Sequence, residues 1–271
     1  RRAVDYNQPP AGLDLKLNLN LTLQRHADQL LGNRDGAVVI LNAHTGEVYA
    51  LASHPWFDAN QLEDTWESLL ERDDAPLLNR ATQGSYPIGT LASTLALKSD
   101  WQIENTLQLS NLTDLPRLDN RCYQVIQSNK LDLNGLQAGC QSTSQDYLNA
   151  ADPTSLLETL TAFGVFNAPE LGIQTSSPPS APSLNQLDHD PTLVMDLKVS
   201  PLQMALVAAA ISNDGIQPPP ALINSYLSPD GKWIEISQEH SESAVMSRSI
   251  AKRVQSELAM SNQAIWFQSA H

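Results

Sequence analysis

Apolar and polar residues alternate from Leu13 to Leu21 (Leu-Asp-Leu-Lys-Leu-Asn-Leu-Asn-Leu), the period of a strand with one face buried. Directly after it, Leu23, Ala27, Leu30 and Leu31 share one face of a helix that Asn20 or Thr22 can cap and Gly32 ends. Gly36–Asn42 (Gly-Ala-Val-Val-Ile-Leu-Asn) is an apolar run of strand length, His44-Thr-Gly46 is a turn, and Glu47–Ser53 is the returning strand of a hairpin. Thr90–Leu97 is apolar nearly all round, as a buried helix is. Leu156, Leu157, Leu160 and Phe163 mark a helix over Thr154–Phe163, with Asp152 and Pro153 ahead of it, Thr154 available to the cap, and Gly164 as its stop. Ser200-Pro-Leu-Gln203 is a capping box with proline at the first helical position. Its helix carries Met204, Ala205, Ala208 and Ile211 and stops at Asn213-Asp-Gly215. Tyr226–Ile236 predicts a hairpin turning at Asp230-Gly231, and Arg248–Met260 a last helix with Ile250, Val254 and Leu258 toward the core. The pattern fails in two places. Trp101–Asn134 is polar, broken by Pro116, and predicts loops with short elements; Ala168–Pro191, rich in Pro, Ser and Asp, predicts an exposed, mobile loop.

No internal repeat and no second domain appear along the chain. The expectation is one domain over 1–271, with 1–12 as a leading segment and 168–191 as the Pro/Ser-rich loop. A formal net charge of -14 argues against nucleic acid and anionic membrane surfaces as direct partners, because both recruit basic patches. No run is long and apolar enough to span a bilayer and no signal peptide opens the chain. A start at Arg-Arg-Ala instead of Met predicts a piece of a larger product, so membrane attachment is expected only through an N-terminal anchor outside it. Cys122 and Cys140 leave a disulfide open, since spacing alone does not establish the geometry. The six histidines are scattered and no zinc pattern occurs, so neither metal nor cofactor is expected. Asp58, Glu63 and Asp64 gather near Trp56 and read as a solvated rim rather than an acid–base pair.

Candidate chemistry lies in Leu78-Asn-Arg-Ala81 followed by Tyr86-Pro-Ile-Gly-Thr90-Leu-Ala-Ser93. The run resembles the transpeptidase domain of penicillin-binding proteins, which carries Leu-Asn-Arg-Ala, Tyr-Pro-Pro-Gly and then a Ser-x-x-Lys nucleophile motif. Gly36-Ala-Val-Val, Thr45-Gly-Glu-Val48, Ser53-His-Pro-Trp-Phe-Asp-Ala-Asn60, and Ser200-Pro-Leu-Gln-Met-Ala205 with Asn213-Asp-Gly215 resemble that family in the same order. The resemblance runs from about Leu13 to Pro220. It implies an α+β fold with a mainly antiparallel sheet flanked by helices, of the β-lactamase/transpeptidase type. It also implies an extracytoplasmic place near cell-wall synthesis, with cell-wall synthesis proteins or peptidoglycan stem peptides as partners.

In that family a serine attacks a peptide carbonyl, a lysine one helical turn on accepts its proton, and backbone N–H groups hold the oxyanion. Here Thr90 stands in the serine's place and Ser93 in the lysine's. Lys98 lies two turns on, roughly 12 Å along the axis by helix rise, and is a poor substitute. The second motif, Ser-x-Asn on a loop between helices, falls at Gly139-Cys140-Gln141, so Gly139 and Gln141 replace its working residues. No Lys-Thr/Ser-Gly triplet occurs in the 271 residues, so the C-terminal strands of the fold are expected to be missing or rebuilt. The resemblance with these changes implies a non-catalytic scaffold or regulator, with Thr90, Ser93, Gly139 and Gln141 as vestiges and β-lactam binding weak or absent. Two alternatives stay open: a weak acyltransferase, D,D-peptidase or penicillin binder using Thr90, and a non-catalytic peptide-binding module.

Overall fold

The computed structural model describes residues 12–96, 141–236 and 243–259. In chain order the elements are β1 (Leu15–Leu17), α1 (Leu21–Leu31), β2 (Gly36–Leu41), β3 (Val48–His54), a 3₁₀ turn (Ala59–Gln61) running into α2 (Leu62–Leu70), β4 (Tyr86–Pro87), α3 (Leu91–Ala96), α4 (Gln141–Ala150), α5 (Pro153–Ala162), α6 (Leu184–His189), a 3₁₀ segment (Pro191–Asp196), β5 (Lys198–Val199), α7 (Pro201–Ser212), β6 (Ile216–Gln217), β7 (Ile223–Leu227), β8 (Trp233–Glu235), β9 (Ser243–Ala244) and α8 (Arg248–Ala259). The strands pair antiparallel as β1-β7-β8, β2-β3, β4-β5 and β6-β9. Helices with antiparallel sheet give the α+β class that the sequence implies.

The β2–β3 hairpin is a layer between two helices. Strand alternation sends Val38, Ile40, Ala50 and Ala52 to one face, where Leu23, Ala27 and Leu31 of α1 cover them. Val39, Leu41 and Leu51 go to the other face and meet Leu202 and Leu206 of α7 with Leu171 and Leu222; Val48 joins them because the register shifts between Ile40 and Leu41. The outer edge of β3 is occupied by side chain and loop. Gln24 of α1 accepts from the Leu51 N–H at 2.8 Å and donates to the Leu51 carbonyl at 3.2 Å. The Val48 N–H donates to the Ala221 carbonyl at 2.8 Å and the Asn20 N–H to that of Tyr49 at 2.8 Å. Gly46 fits its turn, at φ +74, because a Cβ there would lie 1.8 Å from the Pro219 carbonyl oxygen.

A larger core joins α3, α4, α5, α6, α7 and α8 through Leu95, Leu148, Leu156, Leu160, Leu187, Val207 and Val254. Each such side chain contributes roughly 1.5–3 kcal/mol by leaving water. Capping follows composition: Asn20 caps α1, Asp152 caps α5 with Pro153 inside the first turn, and Ser200 with Gln203 forms a full capping box on α7. Gln203 also donates to the carbonyls of Val165 at 3.1 Å and Asn167 at 3.0 Å, which ties α7 to the exit of α5.

Several expectations are corrected. The alternating run at Leu13–Leu21 is strand only at Leu15–Leu17; Leu13, Leu15, Leu17 and Leu21 are exposed, and only Leu19 is half-buried, against the hairpin's core. Asn20 turns the chain into α1, and the face of β1 that carries Leu15 shares Tyr226 and Ile234 with no described element packed on it. Leu30 points to solvent at 66% exposure, because Leu31, next round the helix, takes the place over the hairpin. Thr154 is not the cap of α5; Asp152 is, and the helix begins one residue earlier, at Pro153. Ala168–Pro191 is not loop throughout: α6 forms inside it on a Ser183–Gln186 capping box and buries Leu187 completely, and Leu171 is buried in the hairpin's core. The β7–β8 hairpin stands where expected but starts at Ile223. Trp101–Asn134 and Met260 lie outside the described residues.

Candidate functional site

The turn that carries Thr90 is fixed from both sides. Tyr86 and Pro87 pair with Val199 and Lys198, and two further bonds extend the pairing, from the Ile88 N–H to the Leu197 carbonyl and from the Gly89 N–H to the Met195 carbonyl, each 2.8 Å. Gly89 then takes φ +61, a left-handed conformation that suits glycine, and the chain enters α3. Ile88, Ala92 and Leu95 lie in the main core, and α3 packs against α4, α5 and the 3₁₀ segment at Pro191–Asp196. Thr90 is therefore held half-buried at the start of a buried helix.

Ser93 sits one helical turn beyond Thr90, on the same side of α3. It is 0% exposed, and its Oγ donates to the Thr90 backbone carbonyl at 2.5 Å. A serine hydroxyl holds its proton at neutral pH, and this one is directed into a backbone acceptor. No hydrogen bond engages the Thr90 hydroxyl among the described residues. Gln141, expected on a loop, is the first residue of α4, and α4 packs on α3. Gly139, Lys98, Cys122 and Cys140 lie outside the described residues.

The tract leading to Thr90 is an anchoring strap. The Ser53 hydroxyl donates to the Leu78 carbonyl at 3.1 Å and accepts from the Arg80 N–H at 2.9 Å, which fastens the strap to β3. The Asn79 side chain accepts from the Ala81 N–H, and the Ala81 carbonyl accepts from Leu202 at the start of α7. Thr82 is completely buried; its hydroxyl donates to the Gln174 carbonyl and its own carbonyl accepts from Ser176. Gly84 has no room for a side chain: a Cβ would lie 2.4 Å from the Arg80 oxygen and 2.5 Å from the Tyr86 ring. Here Asn79 and Arg80 hold backbone in place.

Elsewhere, Asp58 caps the 3₁₀ turn before α2, and Glu63 and Asp64 occupy the first turn of that helix, where its dipole favours negative charge. The Arg72 guanidinium donates to both oxygens of Asp74, at 2.9 and 2.6 Å, and holds that carboxyl below its ordinary range. One Ser-x-x-Lys spacing does occur, at Ser249–Lys252, and sequence reasoning passed over it. Both residues are exposed on α8, and the Ser249 hydroxyl shares a hydrogen bond with Ser247 at the head of the helix. The described residues contain no group of three or more His, Cys, Asp or Glu arranged to hold a metal, and no helix long and apolar enough to cross a membrane.

The fold and the Thr90 turn define a transpeptidase-type domain, and residues 36–265 match the penicillin binding protein transpeptidase domain, so the chain belongs to that family. It is similar to the peptidoglycan D,D-transpeptidase PbpA of Mycolicibacterium smegmatis, at 27% identity over 93% of this chain and 57% of PbpA. A shorter match, 43% identical over 84 residues, is to the peptidoglycan D,D-transpeptidase MrdA of Escherichia coli K12; it covers 29% of this chain and 13% of MrdA. Among solved structures, PBPA from Mycobacterium tuberculosis superposes with a TM-score of 0.69 at 17% identity, over 98% of this chain and 68% of that one. The chain spans only part of the length of these curated relatives.

Proposed function

We propose that this is a transpeptidase-type domain of bacterial cell-wall synthesis that keeps the family's frame without its acyl-transfer chemistry, and that it serves as a scaffold or regulator among cell-wall synthesis proteins. Ser93 carries the reading. At the position of the base stands a fully buried hydroxyl that donates its hydrogen bond to the Thr90 carbonyl. Thr90, Ser93, Gly139 and Gln141 are then vestiges of two motifs, and the third motif is absent from the 271 residues. Loss of a general base alone costs about 10²–10⁴ in rate, so little turnover is expected. The relatives are named for peptidoglycan, which lies outside the cytoplasmic membrane; this supports an extracytoplasmic place.

The test is covalent labelling with a fluorescent penicillin, read by intact mass beside an active D,D-transpeptidase. No adduct is expected at concentrations that label the control fully. A second reading, weak acyl transfer by Thr90, draws on the half-buried Thr90 hydroxyl, which makes no hydrogen bond among the described residues. An adduct that maps to Thr90 and disappears in Thr90→Ala would establish that reading and overturn the first.

A further inference from the structure

Beyond His54, where the hairpin ends, residues 56–74 hold the 3₁₀ turn and α2. Here α2 fully buries only Leu69, and among the described elements it makes substantial contact only with the 3₁₀ turn before it. Three large apolar side chains of this stretch face water: Trp56 at 64% exposure, Trp66 at 46% and Leu70 at 60%. On a helix, residues four apart form ridges. Leu62, Trp66 and Leu70 make one ridge of α2; Glu63, Glu67 and Glu71 make the ridge beside it. Next to α2 is a cleft of about 290 Å³, whose lining includes Trp56, Phe57 and Asp58 together with Thr65, Ser68 and Arg72.

The charge around this apolar ridge is one-sided and unspent. Residues 58–74 carry seven carboxylates (Asp58, Glu63, Asp64, Glu67, Glu71, Asp73 and Asp74) against one cation, Arg72. That cation is bound on two bonds to Asp74. The neighbouring Arg80 is also engaged, donating to the carbonyls of Ala75 at 3.0 Å and Asp74 at 2.6 Å. Glu63, Asp64, Glu67, Glu71 and Asp73 are exposed and make no ion pair among the described residues. An exposed apolar ridge bordered by unpaired charge of one sign matches a binding face, not a solvated surface.

We propose that α2 and the Trp56 cleft dock a basic amphipathic helix of another protein. Its apolar stripe lies along Leu62, Trp66 and Leu70; its lysine or arginine row faces Glu63, Glu67 and Glu71; and one cationic head group covers the Trp56 ring, where the π face attracts it. The same acidity repels anionic membranes and nucleic acid. Thr90 is not among the residues that line the cleft or form the ridges, so the test does not depend on whether Thr90 acylates.

The test titrates the whole chain with a synthetic amphipathic helix of leucine and lysine, followed by tryptophan fluorescence and calorimetry. The same helix with glutamate for lysine is the control peptide. The variant Glu63→Lys/Glu67→Lys/Glu71→Lys is compared with Glu158→Lys/Asp188→Lys/Asp230→Lys, which makes an equal change of charge at exposed sites elsewhere. The lysine helix is expected to bind and the glutamate helix not to. The α2 variant is expected to lose at least about tenfold in affinity, the distant variant no more than about twofold, and raised salt to weaken binding, as charge pairing at an interface requires. Trp66→Ala/Leu70→Ala, which removes only exposed side chains, is expected to lose a similar factor with unchanged circular dichroism. Absence of binding, equal loss in the two charge variants, or self-association of the chain abolished by the α2 variant would each overturn the proposal.

Discussion

Replacing Ser93 with lysine would restore the family's residue at the base position and test whether the site is closed. Ser93 is 0% exposed on a helix whose neighbours Ala92 and Leu95 belong to the core, and its hydroxyl already has a backbone acceptor. An ammonium group there loses its water, and no ion pair among the described residues reaches this turn. An uncompensated buried charge costs roughly 3–5 kcal/mol. The added methylenes cost about 1–3 kcal/mol more if the core cannot yield. Against a total stability of roughly 5–15 kcal/mol, either term is large. The lysine can escape by releasing its proton, so its folded pKa falls below the unfolded value of about 10.4. Between those two pH values the unfolded chain binds a proton that the folded chain lacks. Stability of Ser93→Lys therefore rises with pH across that window. Urea denaturation at pH 7 should place the variant's midpoint well below the parent's, and the gap should narrow toward pH 10. Ser93→Ala, which removes only a hydroxyl, should stay within about 1 kcal/mol. If Ser93→Lys is as stable as the parent and indifferent to pH, its head group reaches water or a carboxylate. The site would then be open to a base, and the argument for a closed, inert centre would fail.

Gln203→Met should cost roughly 2–4 kcal/mol, read by urea denaturation, because it leaves the Val165 and Asn167 carbonyls and the Ser200 cap without their partner. Gly46→Ala should lower the melting temperature by roughly 5–10 °C, since the new Cβ collides with the Pro219 carbonyl and the residue stands at φ +74. Asp74→Asn removes a carboxylate whose folded pKa lies below its unfolded one, so the parent's advantage holds above the ordinary carboxylate range and fades as pH falls through the folded Asp74 pKa. Parallel melts from pH 7 to pH 2 check this.

Local chemistry was readable wherever one residue type had one physical use. The Ser200–Gln203 box became the cap its pattern predicted, Asn20 rather than Thr22 caps α1, and Asp152, which sits ahead of its apolar periodicity, caps α5. The hairpin at Gly36–Ser53 was equally plain, because an apolar run, a Thr-Gly turn and a second apolar run admit little else. Long-range packing was not readable. Alternation at Leu13–Leu21 shows which side chains share a face but not whether anything covers it, and here only Leu19 meets the core while Leu13, Leu15 and Leu17 stay exposed. The polar run at Gln141–Ala150 forms a helix with weak periodicity, and α6 was hidden among prolines although Ser183-Leu-Asn-Gln186 is itself a capping box. At the site, the motif gave the places of Thr90 and Ser93. Only the structure shows the Ser93 hydroxyl turned back on the Thr90 carbonyl.

The Gln24 amide has a consequence for how the hairpin can grow. By bonding both the N–H and the carbonyl of Leu51 it mimics a neighbouring strand, and with Ala221 and Asn20 it closes that side of β3 to backbone pairing. Gly36–Leu41 has no second strand beside it among the described residues. Extension of this sheet is thus directional: any further strand, from the same polypeptide or from another molecule, must join beside Gly36–Leu41. Gln24→Ala would reopen that border at Leu51 alone, because Ala221 and Asn20 still hold Val48 and Tyr49.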